Sequence, residues 1–343
     1  MILEAISKLV DGQSLTRGEA ALTMEDIMED RATPAQFGAF VTALRLKGET
    51  ADEIAGMAEV MRRKAVRVPT DLPVVDTCGT GGDGSGSFNV STAAAFVVAA
   101  AGQPVAKHGN RGMTSKCGSA DVLEALGANV TLGPDAVARC IDEVGFGFMF
   151  APAYHPAMKF AAPLRREIGI RTVFNILGPL ANPAGAKTQV LGAPSPEAQE
   201  RLAGALALLG VERALVVHGL EGLDEVSVSG PTRVVDVYSA GARQFDVRPE
   251  DFGLRSANAD AVRGGSADEN AAIIRRILGG GTKGDIADAQ RDIVVLNAAA
   301  ALVACGRASD LASGVRLASD VVHSGEALAR LDAFIRLSQS LAN

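Results

Sequence analysis

A glycine-rich stretch, residues 76–92, constrains the fold of this chain more than any other segment. It reads DTCGTGGDGSGSFNVST, with glycines at positions 79, 81, 82, 84 and 86. The apolar residues 72–75 before it predict a short buried strand, and residues 92–101 after it predict an apolar helix. In such a unit the positive N-terminus of the helix faces the turn, and glycines let the backbone approach an anion closely. We therefore predict an anion-binding turn within an α/β fold.

Two common nucleotide-binding patterns do not fit this stretch. It lacks GxxxxGK[ST], and it lacks GxGxxG with an acidic residue about twenty positions further on. A flexible surface loop is the alternative interpretation. We favour a turn whose backbone N–H groups bind a diphosphate.

Strand and helix patterns alternate through much of the chain. After the glycine-rich turn we predict a strand at 104–107, a helix near 120–126, a strand at 129–132, a helix at 195–209 and a strand at 214–218. Residues 226–228 and 233–238 predict an antiparallel addition at one edge. The alternation is typical of a mostly parallel sheet covered by helices, and small residues with only 4% aromatics agree with it.

Three capping boxes mark helix starts near the N-terminus. The pairs are Thr16 with Glu19, Thr33 with Gln36, and Thr50 with Glu53. We predict a small helical domain over residues 1–70. A segment poor in strand formers, about 161–185, is expected to pack back on this domain and act as a hinge. Residues 71–160 and 186–343 would form the larger α/β domain, with a mostly parallel central sheet.

The charge of the chain limits its partners. The net charge is −7, and lysine and arginine are scattered, so we expect no nucleic-acid partner. Phosphate binding must then be local, through backbone N–H groups, helix N-termini, a metal ion and a few cations. The first residues lack a basic stretch followed by an apolar one, and the longest apolar run is interrupted at Gly102. We expect no membrane association and a cytoplasmic location.

The motif KHGNR at 107–111 follows a predicted strand, at the end where open α/β sheets place ligand residues. Lys107 is suited to a phosphate as a point charge, and Asn110 can both donate and accept hydrogen bonds. For His108, a satisfied structural histidine and a ligand contact both stay open. For Arg111, a structural ion pair and a ligand contact stay open in the same way.

Adjacent carboxylates predict a divalent-cation site. Asp224 and Glu225 follow the strand predicted at 214–218, and in a loop both can face one hard cation. Two carboxylates with diphosphate oxygens are a typical Mg²⁺ environment. A solvated acidic turn is the alternative.

Two further charged residues have open roles. Asp83 would accept hydrogen bonds from sugar hydroxyls or loop N–H groups, or orient a metal-bound water, or only stabilise its own turn. Arg165 offers a planar fork for a carboxylate, with a surface arginine as the alternative.

These motifs, in this order, resemble the anthranilate phosphoribosyltransferase family of tryptophan biosynthesis, and the resemblance covers nearly the whole chain. It rests on residues 76–92, KHGNR at 107–111, SADVLEALG at 119–127, HPAMK at 155–159, RTVFNILGPLANP at 171–183 and GLDE at 222–225. Several long motifs in the right order are more specific than one glycine loop. The resemblance implies a homodimer of two-domain subunits with the site between the domains.

The resemblance also implies phosphoribosyl pyrophosphate (PRPP) and anthranilate as substrates. The implied PRPP site comprises Gly79, Gly82, Asp83, Ser87, Asn89, Val90, Ser91, Thr92, Lys107, His108, Gly109, Asn110, Arg111, Gly112, Met113, Thr114, Ser115 and Ser119. Anthranilate would meet Gly79, Asn110 and Arg165. Mg²⁺, at two ions per subunit, would be held by Ser91, Asp224 and Glu225. Lys107 and Asp83 would be the catalytic residues.

Some residues depart from the family pattern, and two other functions stay open. Ser87 stands where threonine is expected, and residues 112–114 and Cys117 differ from the commoner small and serine-rich residues. One alternative is a pyrimidine nucleoside phosphorylase, which shares the two-domain plan; KHGNR favours the transferase. The other is a relative of the fold that binds nucleic acid, against which the acidic balance and the pair Asp224 and Glu225 speak.

Overall fold

A seven-stranded β-sheet forms the centre of the larger part of the molecule. The computed structural model describes residues 1–112, 116–281 and 284–341. The strands are β1 (Val75–Gly79), β2 (Val105–Gly109), β3 (Phe146–Phe150), β4 (Thr188–Gly192), β5 (Arg213–Gly219), β6 (Thr232–Tyr238) and β7 (Gly241–Val247). Their order across the sheet is β3-β2-β1-β4-β5-β6-β7. Strands β1 to β5 are parallel, and β6 and β7 are antiparallel, which confirms a mostly parallel sheet with one antiparallel edge.

Helices surround this sheet and form the N-terminal unit. Those of the N-terminal unit are α1 (Ile2–Val10), α2 (Arg17–Met28), α3 (Pro34–Lys47) and α4 (Ala51–Lys64). The others are α5 (Val90–Ala100), α6 (Ser119–Ala125), α7 (Pro134–Val144), α8 (Ala151–Tyr154), α9 (Ala161–Ile168), α10 (Phe174–Leu177), α11 (Pro196–Leu208), α12 (Ala267–Leu278), α13 (Asp285–Ala304), α14 (Leu311–Ser324) and α15 (Glu326–Ser340). Helices α5 and α13 pack on each other and are buried over most of their length, which explains their apolar sequences. Of the helices that the structure describes, none has the length and apolar character needed to cross a membrane.

Two predicted strands are wrong. Residues 129–132 alternate in burial but pair with no strand in the described structure, because side chains take their N–H groups. The Asn129 N–H donates to Ser338 Oγ (3.0 Å), and the Thr131 N–H donates to Asn129 Oδ1 (2.9 Å). Residues 226–228 lie in a loop, and β6 pairs instead with β7, whose polar sequence GARQFDV is largely exposed.

The predicted capping boxes are all present, at the starts of α2, α3 and α4. The box of α4 also connects separate segments. Glu53 is fully buried and accepts hydrogen bonds from the Leu15 N–H (2.8 Å) and from Lys47 Nζ (2.9 Å). One carboxylate therefore joins α4 to the loop before α2 and to the end of α3.

The segment 161–185, called the return segment below, packs on the helical unit formed by α1 to α4. One apolar cluster is shared by the N-terminal helices, α11 and side chains of residues 161–181. Within it, the rings of Phe37 and Phe174 have centroids 5.6 Å apart. A small helical domain and a larger α/β domain are confirmed, whereas the hinge role and the domain boundaries stay predictions.

Four adjacent parallel strands end in glycine at one edge of the sheet. These are Gly109 on β2, Gly79 on β1, Gly192 on β4 and Gly219 on β5. The direction of strand succession reverses at β1, which lies between β2 and β4. Open α/β sheets bind ligands at such a switch point, beyond the carboxyl ends of the strands.

Replacing Glu53 with alanine is expected to lower the free energy of unfolding by about 3–5 kcal/mol, because the buried Lys47 ammonium would lose its partner. Urea denaturation followed by far-ultraviolet circular dichroism measures the change. Gln36→Ala is the matched control, since Gln36 has the same box position in α3 nearer the surface and should cost about 1 kcal/mol. Equal losses in the two variants would contradict the connecting role of Glu53.

Candidate active site

The loop after β5 crosses the carboxyl ends of β1 and β4 in close contact. A Cβ atom on Gly79 would overlap the carboxylate of Asp224, and one on Gly192 would overlap the Asp224 carbonyl. Gly79 and Gly192 are register partners on neighbouring strands. Both strands must therefore end in glycine, and Asp224 lies directly over the switch point.

Asp224 also fixes the first half of the glycine-rich turn. The Gly81 N–H donates to Asp224 Oδ2 (2.8 Å), and the Asp224 N–H donates to Asp83 Oδ2 (3.4 Å). The Ser85 N–H donates to Asp83 Oδ1 (3.2 Å), which is the turn-stabilising role left open for Asp83. The glycine-rich turn and the loop after β5 that carries Asp224 and Glu225, called the acidic loop below, form one hydrogen-bonded unit. The first four residues of the glycine-rich stretch are strand, since β1 extends to Gly79 and begins later than predicted.

Burial and mutual repulsion raise the pKa values of the acidic residues here. The pKa of Asp224 is raised to about 7, first by burial and then by Asp83. Burial, followed by Asp224, raises the pKa of Glu225 well above its usual value, while Lys107 opposes that shift. The backbone of Ser91, at the start of α5, also acts to lower the pKa of Glu225. A divalent cation at this place would relieve the repulsion.

The acidic residues do not form a complete metal site by themselves. Within the described residues, no three carboxylate, imidazole or thiol side chains are grouped so as to hold a metal ion. A cation bound by Asp224 and Glu225 would therefore need further oxygen ligands from hydroxyl groups, water or a substrate.

Lys107 is buried behind the N-terminus of α5. It is 2% exposed, and its ammonium donates to the Thr77 carbonyl and to Ser91 Oγ (3.2 Å). Burial lowers the pKa of Lys107, whereas the charge of Asp76 raises it. Asp76 is itself fully buried, and burial raises its pKa to about 6. Asp76 is not among the site residues predicted from the sequence, although a carboxylate at the end of the apolar run VVD could have indicated it.

The second half of the turn is tied to the segment before α12. The Gly264 N–H donates to the Gly86 carbonyl (2.8 Å), and Ser87 forms an isolated antiparallel bridge with Arg263. The turn is therefore held at both halves, by the acidic loop and by residues 262–264.

The side-chain amide of Asn89, the residue that precedes α5, is hydrogen-bonded within the protein. Its Nδ2 donates to the Cys117 carbonyl (3.2 Å), and its Oδ1 accepts from Asn270 Nδ2 (3.0 Å) and the Cys117 thiol (3.3 Å). Val90 begins α5, and Thr92 Oγ1 is buried with no hydrogen-bond partner in the described part of the chain. Asn89 thus orients the helix start, whereas the Thr92 hydroxyl is available to a ligand.

The end of β2 lies beside the start of α6. A Cβ atom on Gly109 would overlap Ser119 Oγ, which donates to the Asn110 carbonyl (3.4 Å). The side chain of Asn110 is exposed, and its Oδ1 accepts from the Arg111 N–H (2.8 Å). Met113, Thr114 and Ser115 of the predicted PRPP site lie outside the described residues.

Arg111 forms the structural ion pair that the sequence left open. Its guanidinium donates to both carboxylate oxygens of Glu124 (2.5 and 2.8 Å) and to Asp121 (3.1 Å). These carboxylates raise the pKa of Arg111. The Gly112 N–H donates to Asp121 as well (2.8 Å), so this loop is fastened to α6.

His108 and His155 form a buried ring pair, with centroids 5.0 Å apart. His108 Nδ1 lies 3.1 Å from the Gly178 carbonyl oxygen, and the Nε2 atom of each ring has no partner among the described residues. Burial lowers the pKa of His108 to about 3 and that of His155 to about 4, so both are neutral at pH 7. Their Nε2 atoms are candidate contacts for a ligand.

The return segment contributes two arginines. Arg165 on α9 lies over the Phe174 ring, 5.4 Å from Cζ to the centroid, and has no hydrogen bond or ion pair from its side chain within the described structure. Arg171 Nη2 donates to the Gly81 carbonyl (2.8 Å), and a Cβ atom on Gly82 would overlap the Arg171 guanidinium. Arg171 therefore places a cation at the turn, and it is not among the site residues predicted from the sequence.

Comparisons with known proteins agree with this architecture. The Glycosyl transferase family helical bundle domain matches residues 3–65, and the Glycosyl transferase family a/b domain matches residues 71–328. The anthranilate phosphoribosyltransferase of Chloroflexus aurantiacus is 58% identical over 339 residues, covering 98% of this chain and 99% of that protein.

Solved structures are similar over the whole chain. The anthranilate phosphoribosyltransferase of Thermus thermophilus has 46% identity and a TM-score of 0.90, with 98% of this chain and 99% of that chain covered. The Saccharomyces cerevisiae enzyme in complex with PRPP and Mg has 30% identity and a TM-score of 0.89, covering 99% and 98%. The yeast enzyme with 4-fluoroanthranilate has 29% identity and a TM-score of 0.87, with the same coverage. By sequence and by fold, the chain belongs to the anthranilate phosphoribosyltransferases of the glycosyltransferase family.

Proposed function

We propose that this chain transfers the 5-phosphoribosyl group of PRPP to the amine of anthranilate, giving N-(5-phosphoribosyl)anthranilate and pyrophosphate in tryptophan biosynthesis. The observation that carries the proposal is the hydrogen-bonded unit of glycine-rich turn and Asp224, located at the switch point of the sheet and beside the start of α5. Family membership supports it, because the yeast enzyme was solved with PRPP and Mg and with 4-fluoroanthranilate.

The proposed PRPP site consists of the residues that the family resemblance implies between Gly79 and Ser119, with Arg171 added. Backbone N–H groups of the turn and the positive N-terminal end of α5 supply most of the attraction for the anion, since the N–H groups of Val90 and Thr92 themselves donate to the Phe88 and Asn89 carbonyls. The buried Thr92 hydroxyl adds a donor that the protein itself leaves unused within the described residues. Asn89 and Arg111 act by positioning, since their side chains are bonded to Asn270 and Glu124.

The acidic residues fit a hard divalent cation, because Asp224 and Glu225 offer carboxylate oxygens whose repulsion a cation would remove. Mg²⁺, when bound, neutralises charge that develops on the leaving pyrophosphate. We assign two ions per subunit, one touching Ser91 and one at Asp224 and Glu225.

The reaction forms a bond from the anthranilate nitrogen to C1 of the ribose while the bond from C1 to pyrophosphate breaks. An aromatic amine is unprotonated at neutral pH, so the site needs no strong general base, and the proton released after attack passes to solvent. Lys107 contributes a fixed positive charge behind α5, where negative charge on the leaving group is stabilised. Asp83 keeps the turn in place through Ser85 and Asp224.

Anthranilate is assigned to Gly79, Asn110 and Arg165. The guanidinium of Arg165 has its N–H groups available for a planar carboxylate, since its contact in the described structure is with the Phe174 ring. The neutral imidazoles of His108 and His155 are added to this part of the site, because their Nε2 atoms are buried and unpaired in the described residues.

A homodimer and a cytoplasmic location stay predictions. Exposed apolar side chains on the helical unit are candidates for such an interface: Leu3 is 65% exposed, Val10 71% and Leu46 83%.

The function is tested by the loss of anthranilate fluorescence when PRPP and Mg²⁺ are added to the purified protein. Loss is expected only when both are present, so omission of each is the control. Phosphorolysis of thymidine or uridine without this transfer would replace the proposal by a nucleoside phosphorylase.

Replacing Asp224 and Glu225 together with alanine is expected to lower turnover by roughly 100-fold or more, because the charge on pyrophosphate would no longer be neutralised at this place. Initial rates are measured over a series of Mg²⁺ concentrations. Asp320→Ala, which removes an exposed carboxylate on α14, is the control and should leave the rate unchanged. Normal rates for the double variant at saturating Mg²⁺ would exclude the assigned role.

Gly82→Ala and Gly84→Ala separate the contribution of Arg171 from backbone strain. Both glycines have positive φ, 72° and 76°, so alanine causes similar strain, about 1–2 kcal/mol, at each. Only Gly82→Ala displaces the Arg171 guanidinium, since no described atom lies within 4 Å of a Cβ at Gly84. Loss of the charged contact of Arg171, worth about 1.5–3 kcal/mol, should raise the KM for PRPP. The KM of Gly82→Ala should therefore be roughly 10- to 100-fold higher than that of Gly84→Ala. Equal KM values in the two variants would show that Arg171 does not contribute.

A further inference from the structure

A buried asparagine outside all of the motifs holds the acidic loop. Asn297 lies on α13 and is 3% exposed. Its Oδ1 accepts from the Val226 N–H (2.9 Å), and its Nδ2 donates to the Val226 carbonyl (3.0 Å) and to the Ile293 carbonyl (2.8 Å). The amide therefore fixes both backbone polar groups of the residue that directly follows Asp224 and Glu225.

Val226 depends on this amide because it is itself buried, at 2% exposed. A buried backbone N–H or carbonyl without a partner costs roughly 1–3 kcal/mol, so loss of the amide would favour a displaced loop. The position of the loop has little tolerance, since Asp224 contacts the ends of β1 and β4 without room for a Cβ atom between them.

The helix that carries Asn297, α13, is held in place by its packing. The helix is buried over most of its length and packs on α5, the helix whose first turn carries Ser91. Helix α5 and the acidic loop are thus positioned against the same buried helix.

We propose that Asn297 is a positioning residue for the divalent-cation site, through which α13 sets the positions of the Asp224 and Glu225 carboxylates. The inference rests on the proposed function of those carboxylates. Removing a group that holds the metal ligands in position, without binding the metal itself, typically lowers metal affinity by 10- to 100-fold.

The test measures Mn²⁺ binding in the presence of PRPP, by electron paramagnetic resonance of the free ion, for the full chain. Asn297→Ala should weaken Mn²⁺ binding by roughly 10- to 100-fold. It should raise the Mg²⁺ concentration for half-maximal turnover by the same factor, with kcat largely restored at saturating Mg²⁺. Asn297→Asp keeps an acceptor for the Val226 N–H but turns a carboxylate oxygen toward the carbonyls of Val226 and Ile293, so it too should displace the loop and weaken Mn²⁺ binding. This second variant also serves if the alanine variant does not fold.

Gln199→Ala is the matched control. Gln199 on α11 is 1% exposed, and its Nε2 donates to the carbonyls of Val216 and Arg233, both at 2.8 Å. Its loss should lower the Tm comparably and leave Mn²⁺ binding unchanged. Wild-type affinity for Mn²⁺ in the Asn297 variants, or an equal loss in Gln199→Ala, would overturn the inference. Absence of Mn²⁺ binding with PRPP in the wild-type protein would instead overturn the proposed function.

Discussion

The close passage of Asp224 over the ends of β1 and β4 is the constraint on which the rest of the site depends. A Cβ atom at Gly192 would overlap the Asp224 carbonyl and one at Gly79 would overlap the Asp224 carboxylate, so neither position has room for a side chain. Because the loop lies so close, the Asp224 carboxylate reaches the Gly81 N–H, which fixes the conformation of this part of the turn. Donors that are already oriented need little rearrangement when charge develops in a reaction.

Anion binding in this molecule does not require a basic surface. The net charge is −7, and the positive potential comes from the N-terminus of α5, the buried Lys107 and Arg171. Charge-assisted hydrogen bonds contribute roughly 1.5–3 kcal/mol each, so three or four contribute about 4.5–12 kcal/mol, a range that includes the roughly 8 kcal/mol of micromolar binding before ordering costs are subtracted. Asp224 and Glu225 would repel a bare diphosphate, and a divalent cation held by these carboxylates would turn that repulsion into attraction.

Local patterns in the sequence predict local structure correctly. These predictions fail where contacts with residues far away in the sequence determine the conformation. The capping boxes and the strand–turn–helix unit need only neighbouring residues, and each is present. Residues 129–132 mimic a strand because Val130 and Leu132 are buried in alternation, yet their hydrogen bonds go to side chains. In the site, the carboxyl ends of the parallel strands lie at one edge of the sheet. Asp224 and Glu225 follow one strand and the glycine-rich turn follows another, which explains why they meet. The roles of Arg171 and Asn297 could not be predicted in this way. Each side chain binds backbone atoms, 90 and 71 residues away, and every residue has a backbone, so no particular residue type in the sequence marks the partner.

The departures from the family pattern affect the turn unequally. Ser87 is held through its backbone, by the bridge to Arg263 and by its N–H to Ser85 Oγ (3.2 Å), so a missing methyl group leaves these bonds intact. Cys117 instead uses its side chain, which donates to Asn89 Oδ1. Burial raises the pKa of this thiol to about 11, so it stays protonated at neutral pH, but a thiol is a weaker donor than a hydroxyl. The orientation of Asn89 in this chain therefore depends more on the hydrogen bond from Asn270 than it would with serine at position 117.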